Sequence, residues 1–138
     1  MSMSKGSSSG AIIVGSSEAA LKQSLSDLVS GDFGREALGF SEISDLLLEV
    51  IGNNADLVIL DTNLRGLPTA KAVQILRKCR PRMPVIVISD DYSVATGSKI
   101  MEQGAFYYMY KPFEMASLRE IIDSALRKRA REEAEERR

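Results

Sequence analysis

Three side chains of this chain follow apolar or aromatic runs and could together act on an anion. Asp61 closes the run Leu57–Leu60, Ser89 follows Val85–Ile88, and Lys111 follows an aromatic segment. A carboxylate attacks a phosphoryl group only when nearby cations offset the charge repulsion, and a lysine supplies such a cation. A serine adds a hydroxyl donor. If these side chains meet, they predict a site that binds or accepts an anionic group.

The apolar runs predict the strands that would bring these side chains together. Residues 11–14, 57–60 and 85–88 are aliphatic throughout rather than alternating, which is typical of parallel strands covered on both faces. Phe106–Met109 is expected to be a further strand, and the rhythm of the chain predicts a weaker one around 34–39.

Helical spacing of apolar residues fills the gaps between these runs. The first helix is expected to be capped by Ser16 or Ser17, and the last apolar stripe ends at Leu126. Strand and helix alternate five times, which predicts an α/β fold with a doubly wound five-stranded parallel sheet and five helices. Ligands bind such sheets at the edge where the strands end. Residues 15–16, 61, 89 and 111 should therefore converge.

Bulk properties narrow the classes of function. The 138 residues fit one domain, and 44% hydrophobic content supports a packed core. A net charge of −1 gives no overall attraction for nucleic acid or anionic lipid. The absence of histidine excludes histidine-based acid/base catalysis and histidine metal ligation. The single Cys79 cannot form an internal disulfide and is expected to lie in the core.

The chain divides into three parts. Residues 1–10 are rich in serine and glycine and predict a flexible tail. Residues 11–128 form the domain, and residues 129–138 are expected to be a charged helical extension. That extension is either a solvated helix end or a linker to an output domain. Every apolar run is far shorter than the roughly 20 residues that span a bilayer, so we expect a cytoplasmic protein without membrane contact.

Over about residues 11–128 the chain resembles a response-regulator receiver domain. The resemblance is carried by Asp61 with Asn63 two residues on, by Ser89, and by the segment Gly104–Phe113, whose sequence GAFYYMYKPF follows the family's Gly-Ala…Tyr…Lys-Pro-Phe pattern. It implies a flavodoxin-like sheet of order 2-1-3-4-5. It also implies a part in two-component phosphorelay signal transduction rather than an enzymatic activity.

The resemblance assigns a role to each matching residue. Asp61 becomes the phosphoacceptor, Lys111 the fixed cation, Ser89 a hydrogen-bond donor to the phosphoryl group, and Tyr108 the switch aromatic. The bond between Lys111 and Pro112 is expected to be cis, as in the family. The alternatives are a turn-forming Asp, a solvated Lys, a strand-end Ser and a half-buried strand Tyr.

The chain departs from the family directly after the first strand. Receivers carry two acidic residues there, which hold Mg²⁺ together with the phosphoacceptor, whereas this chain has Gly15 and Ser16. Mg²⁺ is a hard cation that favours carboxylate oxygens and near-octahedral geometry. The remaining candidates, Asp61 and the Asn63 carbonyl, predict weak Mg²⁺ binding or none. Glu18 could reach the site but is not expected to restore it.

These observations predict an atypical receiver with weakened Mg²⁺-dependent phosphorylation by a partner histidine kinase. Its signalling surface is expected at the helix 4–strand 5–helix 5 face, which is also the family's usual homodimer surface, and the domain itself is not expected to bind nucleic acid. One alternative is a phosphorylation-independent pseudo-receiver or dimerisation module. Another is a small flavodoxin-like ligand-binding domain, although Gly15-Ser16-Ser17 is too short for a phosphate loop.

Overall fold

The sheet at the centre of the molecule has five parallel strands in the order β2-β1-β3-β4-β5. The computed structural model describes residues 10–136. The elements, in chain order, are β1 Ala11–Gly15, α1 Ala19–Phe33, β2 Ala37–Phe40, α2 Ile43–Gly52, β3 Ala55–Asp61, α3 Thr69–Cys79, β4 Val85–Ser89, α4 Val94–Glu102, β5 Tyr107–Tyr110 and α5 Met115–Glu136. The doubly wound arrangement predicted from the alternation is confirmed.

Helices cover both faces of the sheet and create two apolar layers. All seven residues of the central strand β3 are buried. Val58 and Leu60 pack with α2, α3 and α4, whereas Leu57 and Ile59 pack with α1 and α5, because successive side chains of a strand point to opposite faces. Burial of each aliphatic side chain contributes about 1.5–3 kcal/mol to the stability of the fold. This core fixes the strand ends that carry the polar side chains.

The strand boundaries differ slightly from the apolar runs. β2 begins at Ala37 rather than at residue 34, because Gly34 ends α1 in the left-handed conformation (φ 61°) and donates its N–H to the Ser30 carbonyl. β5 covers Tyr107–Tyr110, one residue later than predicted. Among residues 10–136, no helix has the length and apolarity needed to cross a membrane.

The two ends of the chain are tied to the core more closely than their composition suggests. Of the expected flexible tail, residues 1–9 lie outside the described range, but Gly10 is buried and donates its N–H to Asp56 Oδ2 at 2.9 Å. The charged extension continues α5 without a break, and its residues 137–138 also lie outside the described range. Arg129 Nε lies 3.0 Å from Asp56 Oδ1, so Asp56 anchors both ends.

Cys79 is not a core residue, contrary to the prediction from its apolar stripe. It is the half-buried last residue of α3 and lines an open cavity of about 790 Å³ beside α5. The buried residues of α3 are Ala72, Val73 and Leu76. The stripe therefore predicts the helix correctly but extends its buried face one turn too far.

Candidate functional site

A buried ion pair occupies the edge of the sheet where the strands end. Asp61, the last residue of β3, is 2% exposed, and Lys111 follows β5. Lys111 Nζ lies 2.9 Å from Asp61 Oδ1 and 3.0 Å from Oδ2. A buried carboxylate without a partner would be strongly disfavoured, and Lys111 supplies that partner. The structure thus brings together two residues that are 50 positions apart.

The environment of Lys111 holds its ammonium in the charged form. Burial alone would lower its pKa, but the hydrogen bond and charge of Asp61, followed by those of Glu18, raise the pKa above its usual value. Lys111 is therefore a permanent cation at neutral pH. The next peptide bond, Lys111–Pro112, is cis.

Ser16 provides a second donor to the same carboxylate. Its side chain is fully buried, and its hydroxyl donates to Asp61 Oδ2 at 2.8 Å while accepting the N–H of Glu18 at 3.0 Å. The prediction that Ser16 or Ser17 caps α1 is wrong, because the helix begins at Ala19 and Glu18 is its N-cap residue. Ser16 is turned toward Asp61 instead, and a neutral donor stands where the family has an acid.

A side chain at Gly15 would displace two leucine side chains. A Cβ at this position would lie 2.6 Å from Leu46 Cδ1 and 2.9 Å from Leu64 Cδ2, both shorter than a van der Waals contact. The leucines of α2 and of the loop after β3 fill the space that the first acidic side chain would need. The loss of this acid is therefore accompanied by apolar packing around Gly15.

Ser17 and Asn63 close the loop on the other side of Asp61. The Ser17 hydroxyl donates to the Asn63 carbonyl at 3.0 Å, and the Ser17 N–H donates to Asn63 Oδ1 at 3.3 Å. The Asn63 N–H donates in turn to Asp61 Oδ1 at 3.3 Å. A cation would use the Asn63 carbonyl and the Asp61 carboxylate. Both already accept hydrogen bonds from serine hydroxyl groups.

This donor set does not fit the Mg²⁺ ion that the resemblance implies. Within residues 10–136, no group of three or more acidic, cysteine or histidine side chains is placed to hold a metal ion. The Ser16 hydroxyl donates a hydrogen bond to Asp61, whereas an acidic side chain would offer oxygens to a cation. A hard cation needs several oxygen ligands at short range. Lys111 is the cation and the Ser16 hydroxyl the neutral side-chain donor at the Asp61 carboxylate.

Ser89 and Tyr108 share a hydrogen-bonded network beside the Asp61 pocket, and the Ser89 carbonyl accepts the N–H of Lys111 at 2.8 Å. The Ser89 hydroxyl accepts the N–H of Asp91 at 2.9 Å and the Thr62 hydroxyl at 3.4 Å. The Tyr108 hydroxyl donates to the carbonyl of Asp91 at 3.1 Å. Tyr92 donates to the Lys111 carbonyl, which joins this loop to the turn after β5. The structure therefore places Ser89 and Tyr108 together around the β4–α4 loop.

Sequence reasoning missed the hydrogen-bonding roles of Ser16, Ser17 and Tyr92. A signal was present for the two serines, because they occupy the segment where acids were expected. Tyr92 carried no such signal, since its partner is the backbone of Lys111, 19 positions away.

Comparison with known proteins places this site in context. Residues 12–123 match the family described as response regulator receiver domain. The chain is 30% identical over 115 residues to the DNA-binding transcriptional regulator NtrC of Rhizobium meliloti (strain 1021). This match covers 83% of the chain but only 24% of that protein. The chain thus spans about a quarter of the length of this relative.

Two solved structures share the fold. One is a CheY-like response regulator receiver domain from Methanospirillum hungatei JF-1, with a TM-score of 0.82, 20% identity, and coverage of 90% of this chain and 98% of that one. The other is the solution structure of the beryllofluoride-activated NtrC4 receiver domain dimer, with a TM-score of 0.80, 20% identity, and coverage of 86% and 97%.

Proposed function

Because the chain belongs to the response-regulator receiver domain family over residues 12–123, we propose that Asp61 is its phosphoacceptor and that a histidine kinase is the phosphodonor. The observation that carries the proposal is the contact of 2.9 Å between the buried Asp61 carboxylate and Lys111. A carboxylate held at a strand end beside a fixed cation is the arrangement that phosphoryl transfer to Asp requires.

In the proposed phosphoryl transfer, each residue of the pocket has a different role. A carboxylate oxygen of Asp61 attacks the phosphorus of the donor, a new O–P bond forms, and the bond from phosphorus to the donor breaks with its electrons leaving on the donor. Lys111 offsets the negative charge that gathers on the phosphoryl oxygens. The hydroxyl of Ser16 and the N–H of Asn63 orient the carboxylate. Departure of the donor is completed by a proton from solvent.

The transfer is proposed to be slow and to depend only weakly on Mg²⁺. Support comes from Gly15, which has no acidic side chain and is packed against Leu46 and Leu64, and from Ser16, whose hydroxyl donates to Asp61. The candidate ligands are the buried Asp61 carboxylate, the Asn63 carbonyl and the half-exposed Glu18, and the first and last of these are already paired with Lys111, so a divalent ion gains little from this pocket.

A phosphorylation-independent receiver is the second candidate. It is favoured by the complete set of partners around Asp61 in the unmodified state, since both carboxylate oxygens already accept hydrogen bonds from Lys111, Ser16 and the Asn63 N–H. In that case the domain would signal through protein contacts alone.

Incubation with acetyl phosphate, with Mg²⁺ or with a chelator, separates the candidates when followed by intact mass. We expect a single phosphoryl adduct that forms at a similar rate in both conditions and is lost in Asp61→Asn. An adduct that forms only with Mg²⁺ would contradict the weak metal dependence. If no adduct forms in either condition, the phosphoacceptor proposal fails and the phosphorylation-independent receiver is the candidate that remains.

The surface proposed to contact partners lies on α4, β5 and α5. Large exposed apolar residues on these elements are Val94, Met101, Tyr107, Tyr110 and Met115. The loop held by Tyr108 and Tyr92 connects this surface to the Asp61 pocket. A change at Asp61 that moves the β4–α4 loop would therefore alter the same surface.

A further inference from the structure

Glu18 lies at the mouth of the Asp61 pocket and contacts its cation. Its Oε2 atom is 3.3 Å from Lys111 Nζ and accepts a hydrogen bond of 2.9 Å from Asn63 Nδ2. The side chain is half exposed, at 51%, so it faces solvent on one side and the pocket on the other. Lys111 is thus held between two carboxylates, one buried and one at the surface.

The orientation of Glu18 is not explained by helix capping. Glu18 is the N-cap residue of α1, yet its side chain makes no capping hydrogen bond. An N-cap side chain usually accepts a backbone N–H from the first turn of its own helix. Glu18 instead reaches residues that are 45 and 93 positions away.

We infer that Glu18 is an internal competitor for the anion that Lys111 binds. The inference rests on the proposed anion chemistry at Asp61 and deepens it. A phosphoryl oxygen and the Glu18 carboxylate would bind the same ammonium group, and two anions that contact one ammonium group repel each other. An incoming phosphate group therefore enters the pocket only when Glu18 swings outward and releases Lys111 and Asn63.

The geometry permits that movement at low cost. Glu18 gives up one hydrogen bond and one partly exposed ion pair, and exposed ion pairs contribute little to stability. Its backbone remains fixed, because its N–H donates to the buried Ser16 hydroxyl. Glu18 thus acts as a side-chain gate that needs no change in the fold. It sets the affinity of the pocket for anions.

Glu18→Gln tests the gate, with Glu42→Gln as a matched control. Glutamine keeps the size of the side chain and removes its charge. Glu42 is likewise an exposed N-cap residue without a capping hydrogen bond, but it pairs with Arg65 at 3.7 Å rather than with Lys111. Inorganic phosphate is titrated into each variant, and the backbone amide shifts beside Asp61 are followed by NMR. The rate of adduct formation from acetyl phosphate is measured on the same samples.

We expect Glu18→Gln to bind phosphate and to form the adduct about threefold to tenfold better than the parent chain, the range expected for one partly screened charge. Glu42→Gln should match the parent. Added salt should shrink the difference, since a charge effect is screened while a change in packing is not. Equal phosphate affinities for Glu18→Gln and the parent would overturn the inference.

The two proposals fail in distinguishable ways. If no variant forms an adduct but Glu18→Gln still binds phosphate more tightly, Asp61 is not the phosphoacceptor and the competition by Glu18 stands. If all variants form the Asp61 adduct at equal rates and bind phosphate equally, the phosphoacceptor stands and Glu18 is no competitor.

Discussion

At the residue scale, Ser16 stands where the family has an acid. One wall of the pocket therefore donates a hydrogen bond instead of presenting a negative charge. A carboxylate at this position would offer oxygens to a cation, whereas the Ser16 hydroxyl offers a proton to Asp61 at 2.8 Å. Lys111 is the cation that pairs with Asp61, and it also contacts Glu18. An acid at Gly15 would also have a steric cost, since Leu46 and Leu64 would have to move.

Restoring an acid at position 16 is expected to restore a metal response. Ser16→Asp places a second carboxylate beside Asp61, so the melting temperature should rise when Mg²⁺ is added. Mg²⁺ at ten times its dissociation constant would stabilise the variant by about 1.4 kcal/mol. The measurement is a thermal melt with and without Mg²⁺.

Two variants control the Ser16→Asp experiment. Ser44→Asp adds the same charge at an exposed position of α2 and should show no response to Mg²⁺. Gly15→Asp should lose about 1–3 kcal/mol of stability through overpacking and gain no Mg²⁺ response. An equal Mg²⁺ response in the parent chain and in Ser16→Asp would show that the hydroxyl does not prevent metal binding.

Asp56 is a second buried carboxylate whose charge matters, but for stability. Burial raises its pKa, and the Gly10 N–H, Arg129 and Arg35 together outweigh burial and bring the pKa below the ordinary 3.8. Because the folded-state pKa is the lower one, this stabilisation is complete above pH 3.8 and is lost as the pH falls through the folded-state value.

Asp56→Asn should therefore lower stability at pH 7 and flatten the acid limb of the stability curve. We expect a loss of about 3 kcal/mol at pH 7, the lower end of the range for breaking a buried ion pair, since the two arginines remain partly exposed. Urea unfolding from pH 7 to pH 3 measures both effects. Glu120→Gln, at an exposed position of α5, serves as the control. If the free energy of unfolding of Asp56→Asn falls below pH 4 as steeply as that of the parent chain, Asp56 is not a source of the acid sensitivity.

At the element scale, α5 shows how charge can position a helix that has no apolar face left. The apolar stripe ends at Leu126, yet the helix continues to Glu136. Arg129 contacts Asp56 at 3.0 Å, and Arg82 contacts Glu136 at 2.5 Å. These partners lie 73 and 54 positions away in sequence, so the periodicity of α5 carries no trace of them. The sequence predicts the helix, whereas its attachment requires the tertiary structure.

Arg82→Ala should loosen the end of α5 without destabilising the domain. Exposed ion pairs contribute about 0–1 kcal/mol, so the free energy of unfolding should hardly change. Amide hydrogen exchange of residues 130–136 should become faster, because Arg82 is the contact of this end with the α3–β4 loop. Arg127→Ala is the matched control, since Arg127 pairs with Asp123 inside the helix. Equal exchange in both variants would show that Arg82 does not hold the helix end.

At the scale of the whole molecule, the fold and the convergence of Asp61 with Lys111 follow from the sequence for one reason. Aliphatic runs separated by helical stripes predict a parallel sheet, and parallel strands end at one edge. Hydrogen bonds of the β1–α1 loop do not follow in this way. The Ser16 hydroxyl points to Asp61, 45 positions away, and the Glu18 carboxylate to Asn63 and Lys111, 45 and 93 positions away. No local pattern encodes partners at these separations.

The edge position of β5 has a consequence for assembly. β5 is an edge strand of the sheet, Tyr107 on it is 43% exposed, and α4 and α5 also carry exposed apolar side chains. Apolar groups clustered on a sheet edge favour association with another chain. We expect the chain to form a homodimer through this surface, and the dimer to tighten when beryllofluoride is added as a phosphoryl mimic.

Sedimentation equilibrium of two charge variants locates the interface. Tyr107→Lys places a cation on the β5 edge and should weaken the dimer about tenfold, which corresponds to the loss of about 1.4 kcal/mol of contact energy. Leu48→Lys makes the same kind of change on α2, where Leu48 is 68% exposed, and should leave association unchanged. If Leu48→Lys weakens the dimer and Tyr107→Lys does not, the chains associate through α2. The network of Tyr108, Tyr92 and Asp91 then has no part in transmitting a signal between them.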